Sequence, residues 1–388
     1  MVTAEQNASC SVFSEKRKDP RAFLTVAVTL VVGDRIIRGT ECRNISMSGM
    51  LVRVEEMLHI GETATITMTK RCNEEYLSFS SCCNITRCAE SSEGSYHIAV
   101  SFCGMDSWNE EILKQIVDYQ ISLMFKKRII FDQNRTTDFV LKIADTREEL
   151  EQAFRLLHDT YVREKFMKPH PSGLRIRFHN AAPCTVVIVG KKAGEVVLTT
   201  SLYVDSFLGI PADTTFREEI GKLRSEGRYF AEVGSLAARE DVRSADSTLQ
   251  LLLQKMILLY SIRYLKLDDL IITVVCKHES YYRHILLFEP IGESRCYEGA
   301  NNASVVPMRL NLEQLEQKYK EAYKYLPKNK KLDQFVFRET SPAIILPEKQ
   351  APKRIWNKDL IDYFFCRKTD VFKYVDSKKV SRIKSYYL

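Results

Sequence analysis

The rhythm of apolar and polar positions changes once along this chain, near Asp138. From Arg21 to Phe102 it is a strand rhythm. "AFLTVAVTLVV" and "RIIRGTECRNI" flank Gly33-Asp34 and predict a hairpin. "GMLVRVEE", "TATITMTK", "EYLSFSSCCNI" and "SYHIAVSFC" continue as short strands at the spacing of a small barrel. "DSWNEEILKQIVDYQISLMF" then carries a cap candidate, acids in its first turn and an apolar stripe, which predict a helix. "KKRIIFDQNRTTD" is a charged connector.

After Asp138, strands and helices alternate. "DFVLKIA" predicts a strand, and "TREELEQAFRLLHDTYVREKF" a helix opened by a capping box at Thr146 and Glu149. An irregular stretch around Pro169, Pro171 and Gly173 leads to the hairpin "CTVVIVGKKAGEVVLTTSLYV". "FAEVGSLAA" predicts a strand, followed by a charged loop and a long helix from about Ser247 to Leu265. "DLIITVVC", "KHESYYRHILLF" and "EPIGESRCYE" predict a strand–helix–strand unit. The fold class is α+β in two domains. A tail (1–13) precedes a six-stranded antiparallel barrel with a closing helix (14–125). A linker (126–138), a mixed sheet flanked by helices (139–325) and a basic extension (326–388) follow.

Composition narrows the setting. The 388 residues are too many for one core, and 45% hydrophobic with 28% charged is ordinary for a globular protein. "MVTAEQNASCSVF" has no basic-then-apolar run, and "LQLLLQKMILLYSIRYL" is interrupted by Gln254, Lys255 and Arg263, too polar for a bilayer. Eleven cysteines without an export signal predict reduced thiols and a cytoplasmic location. Cys72, Cys82, Cys83 and Cys88 lack the Cys-x-x-Cys spacing of zinc sites, and neighbours Cys82 and Cys83 on a strand point to opposite faces, so no metal is expected. From Lys318 to Leu388 there are 18 Lys+Arg against 8 Asp+Glu, a larger excess than the +7 of the whole chain. Such a surface attracts an acidic partner. Interspersed acids and aromatics ("DYFFCRK", "VFKYV") set it apart from a polybasic arm, and a nucleic-acid partner is not expected.

Two motifs in the first domain carry chemistry. Arg17 and Arg21 bracket "RKDPR", a spacing that Arg224/Arg228 and Arg239/Arg243 repeat and that alone decides nothing. "NISMSG", residues 44–49, lies just past the hairpin that begins at Arg21. Folding that hairpin back brings the two motifs together. In this order they resemble the PilZ domain, a family that binds the bacterial second messenger cyclic di-GMP, over roughly residues 14–125. The resemblance implies that Arg17 and Arg21 meet phosphate and guanine through their bidentate forks. It also implies that Asn44 and Ser46 hydrogen-bond the ligand, and that Gly49 allows close backbone approach.

The strand, loop, helix, strand, helix, strand order from Phe230 to Tyr297 is that of the back half of an N-acetyltransferase-like (GNAT-like) fold. The loop "AREDVRSADST", lacking glycine, departs from the usual coenzyme A cradle. "FRLLHDTYVREKFMKP", "YFAEVGSLAA" and "KHESYYRHILLFEPIGESRCYEGANNASVVPMRLNL" resemble the N-acyl amino acid synthases, relatives of the acyl-homoserine-lactone synthases. That resemblance implies transfer of a long fatty acyl group from the phosphopantetheine of acyl carrier protein to the α-amine of an amino acid. The basic extension would then meet the acidic carrier, and the lipid product would draw the protein to a membrane surface.

The reaction needs a base, oxyanion donors and an apolar acyl slot. Glu232 is the expected base. In the lactone synthases the matching stretch is Glu-x-Ser-Arg; here it is Glu232-Val233-Gly234-Ser235, and Ser235 is the expected hydrogen-bond donor. His278 and Tyr282, at i, i+4 spacing, are expected at the reaction centre. Arg239 and Arg243 are expected at the phosphopantetheine phosphate. The rival reading is a non-catalytic cyclic di-GMP effector whose second domain binds a partner.

Overall fold

The computed structural model describes residues 20–91, 94–128, 138–245, 247–297, 301–347 and 355–387. They form two compact units, Glu15–Arg128 and Ile129–Leu388.

In the first unit β1 (Ala22–Val32), β2 (Arg35–Ile37), β3 (Glu41–Ser46), β4 (Gly49–Val54), β5 (Thr63–Cys72), β6 (Glu75–Glu90) and β7 (Tyr96–Cys103) are all antiparallel. The order β1-β3-β4-β7-β6-β5 returns to β1, so six strands close a barrel and β2 is a short flap on β1. The expected second strand of the hairpin is broken at Gly39, whose φ is +64°. Along β1, Ala22, Leu24, Val26, Val28, Leu30 and Val32 turn inward, Val26 only partly buried, and the residues alternating with them turn outward. The helix α1 (Ser107–Arg128) lays Ile112, Leu113, Ile116, Val117 and Ile121 on this core. Cys83 is buried and Cys82 exposed, as strand alternation requires.

The second unit is built on β8 (Phe139–Ile143), β9 (Val186–Lys192), β10 (Glu195–Val204), β11 (Phe230–Ala238), β12 (Asp269–Val275), β13 (Glu289–Pro290), β14 (Arg295–Tyr297) and β15 (Ala303–Asn311). The sheet order is β8-β9-β10-β11-β12-β15-β13, with β14 beside β15. Only β11 and β12 run parallel. Helices α2 (Arg147–Arg163), α3 (Arg217–Ser225), α4 (Glu240–Ala245), α5 (Ser247–Tyr260), α6 (Glu279–Leu286) and α7 (Leu315–Ala322) complete it.

Three local expectations are corrected. The partner of β12 is β15, beyond the predicted strand–helix–strand unit; Pro307 in its middle disguised it. "AREDVRSADST" contains the short helix α4 where a loop was expected. At the start of α2 the Thr146 hydroxyl accepts from the Glu149 N–H at 3.1 Å, but the Glu149 carboxylate accepts from the Asp145 N–H and from Lys142 and Lys191. The capping box is therefore only half made.

The C-terminal extension is part of this unit's core. Beside β8, the Leu141 N–H donates to Ala343 O and the Ile345 N–H to Leu141 O. Trp356, Ile361 of α8 (Lys358–Asp362), Phe364, Phe365 and Ile383 of α9 (Ser377–Tyr386) pack with Leu150, Phe154 and Leu157 of α2. Trp356, Phe364 and Phe365 point in, while Lys368, Lys373, Lys378 and Lys384 stay exposed.

Candidate functional sites

In the barrel, Ala22 pairs with Ile45 and Phe23 with Asn44, so Arg21 enters the sheet one step from Asn44 and Ser46. Residues paired directly across strands share a face, which puts Phe23 and Asn44 together on the barrel's outside. The Asn44 side chain is buried and, among the described residues, its Oδ1 accepts no hydrogen bond, leaving an unmet acceptor. The Ser46 hydroxyl lies 3.3 Å from both Ser48 Oγ and Gly49 O. Arg21 and Phe23 are exposed. Gly49 has a reason of its own: a Cβ there would meet Val100 O of β7 at 2.1 Å. The neighbouring strand by itself therefore demands glycine at this position. Arg17 lies outside the described residues.

In the second unit the site is a break in the sheet. β11 and β12 pair through Phe230–Glu232 against Asp269–Ile271 and then part. β10 follows β11 through a register shift, and Ser235 takes φ +51°, a conformation uncommon for a residue with a Cβ. The gap opens into a cavity of about 380 Å³ whose lining includes Ser235, Leu253, Ile257, Val274, His278 and Tyr282. His278 sits at the junction into α6 and Tyr282 one turn later. Burial pushes the Tyr282 hydroxyl up to about 12, which keeps it neutral.

Glu232 stands where the strands divide, 4% exposed, with Oε2 accepting from the Ala212 N–H at 2.6 Å. Burial raises its carboxyl to about 7, against the opposing pull of the Ala212 amide and the Arg177 guanidinium. Ser235 Oγ lies 2.6 Å from the Tyr203 hydroxyl, which reaches Asn180 Oδ1 at 3.5 Å. Burial also keeps Tyr203 protonated. The sheet thus brings Glu232, Ser235, His278 and Tyr282 to one strand gap and its adjoining cavity.

The expected phosphate ligands fare differently. Arg239 gives Nε and Nη2 to Asp241 at 2.7 and 2.9 Å and Nη1 to Glu195 at 3.1 Å. A phosphate there would compete with two exposed carboxylates. The Arg243 side chain lies outside the described residues.

Arg175, Arg177, Tyr203 and Tyr297 were missed. Arg175 and Arg177 alternate with buried Leu174 and Ile176, so both guanidiniums leave the same side of an extended segment. Arg175 stacks over Tyr161 at 4.2 Å and Arg177 faces the Tyr297 ring at 5.8 Å. Burial, and then Arg177 beside it, push His179 down to about 3, so that imidazole is neutral. Alternation of charge and bulk in "LRIRFHN" was the available signal, hidden because it follows an irregular Pro- and Gly-containing stretch.

The family model for the N-acyl amino acid synthase FeeM matches residues 152–311, and that for the PilZ domain matches residues 15–119. No curated protein matches the chain. Among solved structures the chain is similar to FeeM, an N-acyl amino acid synthase from uncultured soil microbes, at 23% identity, covering 46% of this chain and 93% of that one with a TM-score of 0.42. It is similar to the AHL synthase LasI at 11% identity, over 55% of this chain and 100% of that one, TM-score 0.39. It is also similar to the PilZ domain with c-di-GMP of YcgR from Escherichia coli at 14% identity, over 29% and 97%, TM-score 0.24. The chain joins a PilZ domain, residues 15–119, to a domain of the N-acyl amino acid synthase family, residues 152–311.

Proposed function

We propose that this protein is a cyclic di-GMP-responsive N-acyltransferase that moves a long-chain acyl group from acyl carrier protein to the α-amine of an amino acid. The observation that carries the reading is Glu232: a buried carboxyl poised near neutrality at the parting of two parallel strands, beside an apolar cavity. A base is most useful when its pKa lies near the working pH. Glu232 takes a proton from the substrate ammonium, and the freed amine attacks the thioester carbonyl. The N–C bond forms as the C–S bond breaks, and the second proton shed by the nitrogen as it becomes an amide passes to the departing sulfur, which leaves as thiol. Ser235, backed by Tyr203, and Tyr282 are assigned as hydroxyl donors for the developing oxyanion. The apolar lining, with Leu253, Ile257 and Val274, suits an acyl chain.

In the PilZ domain, Arg17, Arg21, Asn44 and Ser46 are assigned to cyclic di-GMP. The unmet Oδ1 of Asn44 beside the exposed Arg21 supports that assignment. The exposed lysines of the C-terminal extension support an acidic carrier as donor. Among the described residues no helix is long and apolar enough to cross a membrane.

Mass spectrometry of lipids from cells expressing the protein tests the reading. A new N-acyl amino acid, absent with Glu232→Gln, is the expected result. No new lipid from well-expressed, folded protein would overturn it. Turnover by the purified protein with and without cyclic di-GMP tests the regulatory part, and identical rates at saturating messenger would remove it.

A further inference from the structure

We infer that Arg177 binds the α-carboxylate of the acceptor amino acid, so that Arg177 and Glu232 together read the substrate's zwitterion; this rests on the N-acyltransferase reading above. The inference begins with charge pairing. Other arginines around this domain's sheet are matched by acids: Arg224 by Asp205 and Asp213, Arg228 and Arg309 by Asp269, and Arg295 by Glu219. Arg177 is half-buried and, among the described residues, has no carboxylate within 4 Å. Its surroundings are Tyr161, Tyr203 and Tyr297, with Glu232 close enough to feel its field but outside ion-pair distance. A cation kept from water without a bound counter-ion is costly, and a site that bears this cost is set up for an anion from outside.

The anion's chemistry follows from the geometry. Arg177 presents a planar fork suited to a carboxylate, and it faces a carboxylate it does not touch. A ligand that bridges the two carries a cation toward Glu232 and an anion toward Arg177, a short distance apart. An α-amino acid is such a ligand, and in this orientation its nitrogen lies against the base. The reverse orientation sets like charges together at both ends. Position supports the assignment as well. Asn180, which accepts from the Arg177 N–H at 2.9 Å, also contacts Tyr203, and Tyr203 contacts Ser235 at the cavity wall. The arginine is thus fixed by the same hydrogen-bonded set that orients the reaction centre.

The test compares an amino acid with its carboxamide, which keeps the amine and loses the negative charge. The full-length protein is assayed with long-chain acyl carrier protein, using the amino acid found in the lipid extract. The wild-type protein should prefer the free acid in kcat/KM by roughly tenfold to 150-fold, the worth of a charge-assisted contact. In Arg177→Met the preference should collapse toward one. In Arg177→Lys, which keeps charge but loses the fork, KM for the free acid should rise by more than kcat falls. A purely structural role would lower both substrates together and leave their ratio intact. A wild-type protein that accepts the carboxamide equally well, or an Arg177→Met protein that keeps the preference, overturns the inference. Should Arg177→Met fail to fold, an unchanged KM in Arg177→Lys overturns it equally. If the folded wild-type protein acylates no amino acid at all, the parent reading fails first and this inference with it.

Discussion

The barrel's ligand face and the synthase's strand gap solve opposite electrostatic problems. On the barrel, Arg21 is exposed beside a short, contiguous motif, and water shares the cost of its charge. In the synthase, Glu232 and Arg177 come from segments 55 positions apart in the numbering and are withdrawn from water among tyrosines. A surface site can be written as a motif because its parts need little help from the core. A buried site depends on which side of a sheet each segment presents, and its residues answer to packing as much as to chemistry. Charges at the first site should therefore tune affinity, and charges at the second should govern rate and stability together.

The largest effect is expected at the buried base. Glu232→Gln should lower turnover by ~10² to 10⁴, read as single-turnover transfer from acyl carrier protein. The wild-type rate should rise with pH through about 7 as the carboxyl loses its proton, and the variant should lack that limb. Stability should move the other way. The folded carboxyl holds its proton more tightly than the unfolded one, so folding stability is full below about 4.5 and is lost as pH rises through about 7. Thermal unfolding against pH should show that slope in the wild-type protein and a flatter one in Glu232→Gln. A Glu232→Gln protein with near-normal turnover would erase the distinction between the two regions.

A smaller effect is expected on the barrel surface. Arg21→Ala should weaken cyclic di-GMP binding roughly tenfold to 150-fold by calorimetry, the cost of losing charge-assisted hydrogen bonds. Unchanged affinity would return this arginine to the solvated surface. Gly49→Ala tests the strand beneath. With Val100 O at 2.1 Å from the new Cβ, it should cost about 1–3 kcal/mol of barrel stability in chemical denaturation. The smallest effect is the salt response. If the exposed lysines of the extension meet an acidic carrier, KM for acyl carrier protein should rise by roughly a few-fold as the Debye length falls to about 10 Å near 0.1 M salt. A flat response would separate those lysines from donor docking.

Much of the architecture was legible because local rules and tertiary structure agreed. Alternation marked the barrel strands, and the i, i+4 stripe of α1 marked its closing helix. The place of Glu232 where the strands divide, and of Ser235, His278 and Tyr282 around the cavity, could be anticipated from the order of strands and helices; their roles belong to the proposal. β15 escaped because Pro307 contradicts strand chemistry; α4 escaped because a six-residue helix built of charges reads as loop. Arg177 escaped for a deeper reason. Its significance lies in having no carboxylate partner among the described residues, and a sequence cannot show which arginines the fold leaves without one.

The fastening of the Arg177 loop bears on how the protein is made. His170, at the start of that segment, contacts Asp370 through Nε2 at 3.2 Å, and Ala181 O at its end accepts from the Tyr387 hydroxyl at 2.9 Å. These contacts join residues 200 and 206 positions apart. During synthesis the barrel can close as soon as its own strands have emerged. The segment bearing Arg177 must wait for the last helix, at a rate of roughly 5–20 residues per second on the ribosome. The barrel's strands can thus close before Asp370 and Tyr387, which fasten the Arg177 segment, have been made.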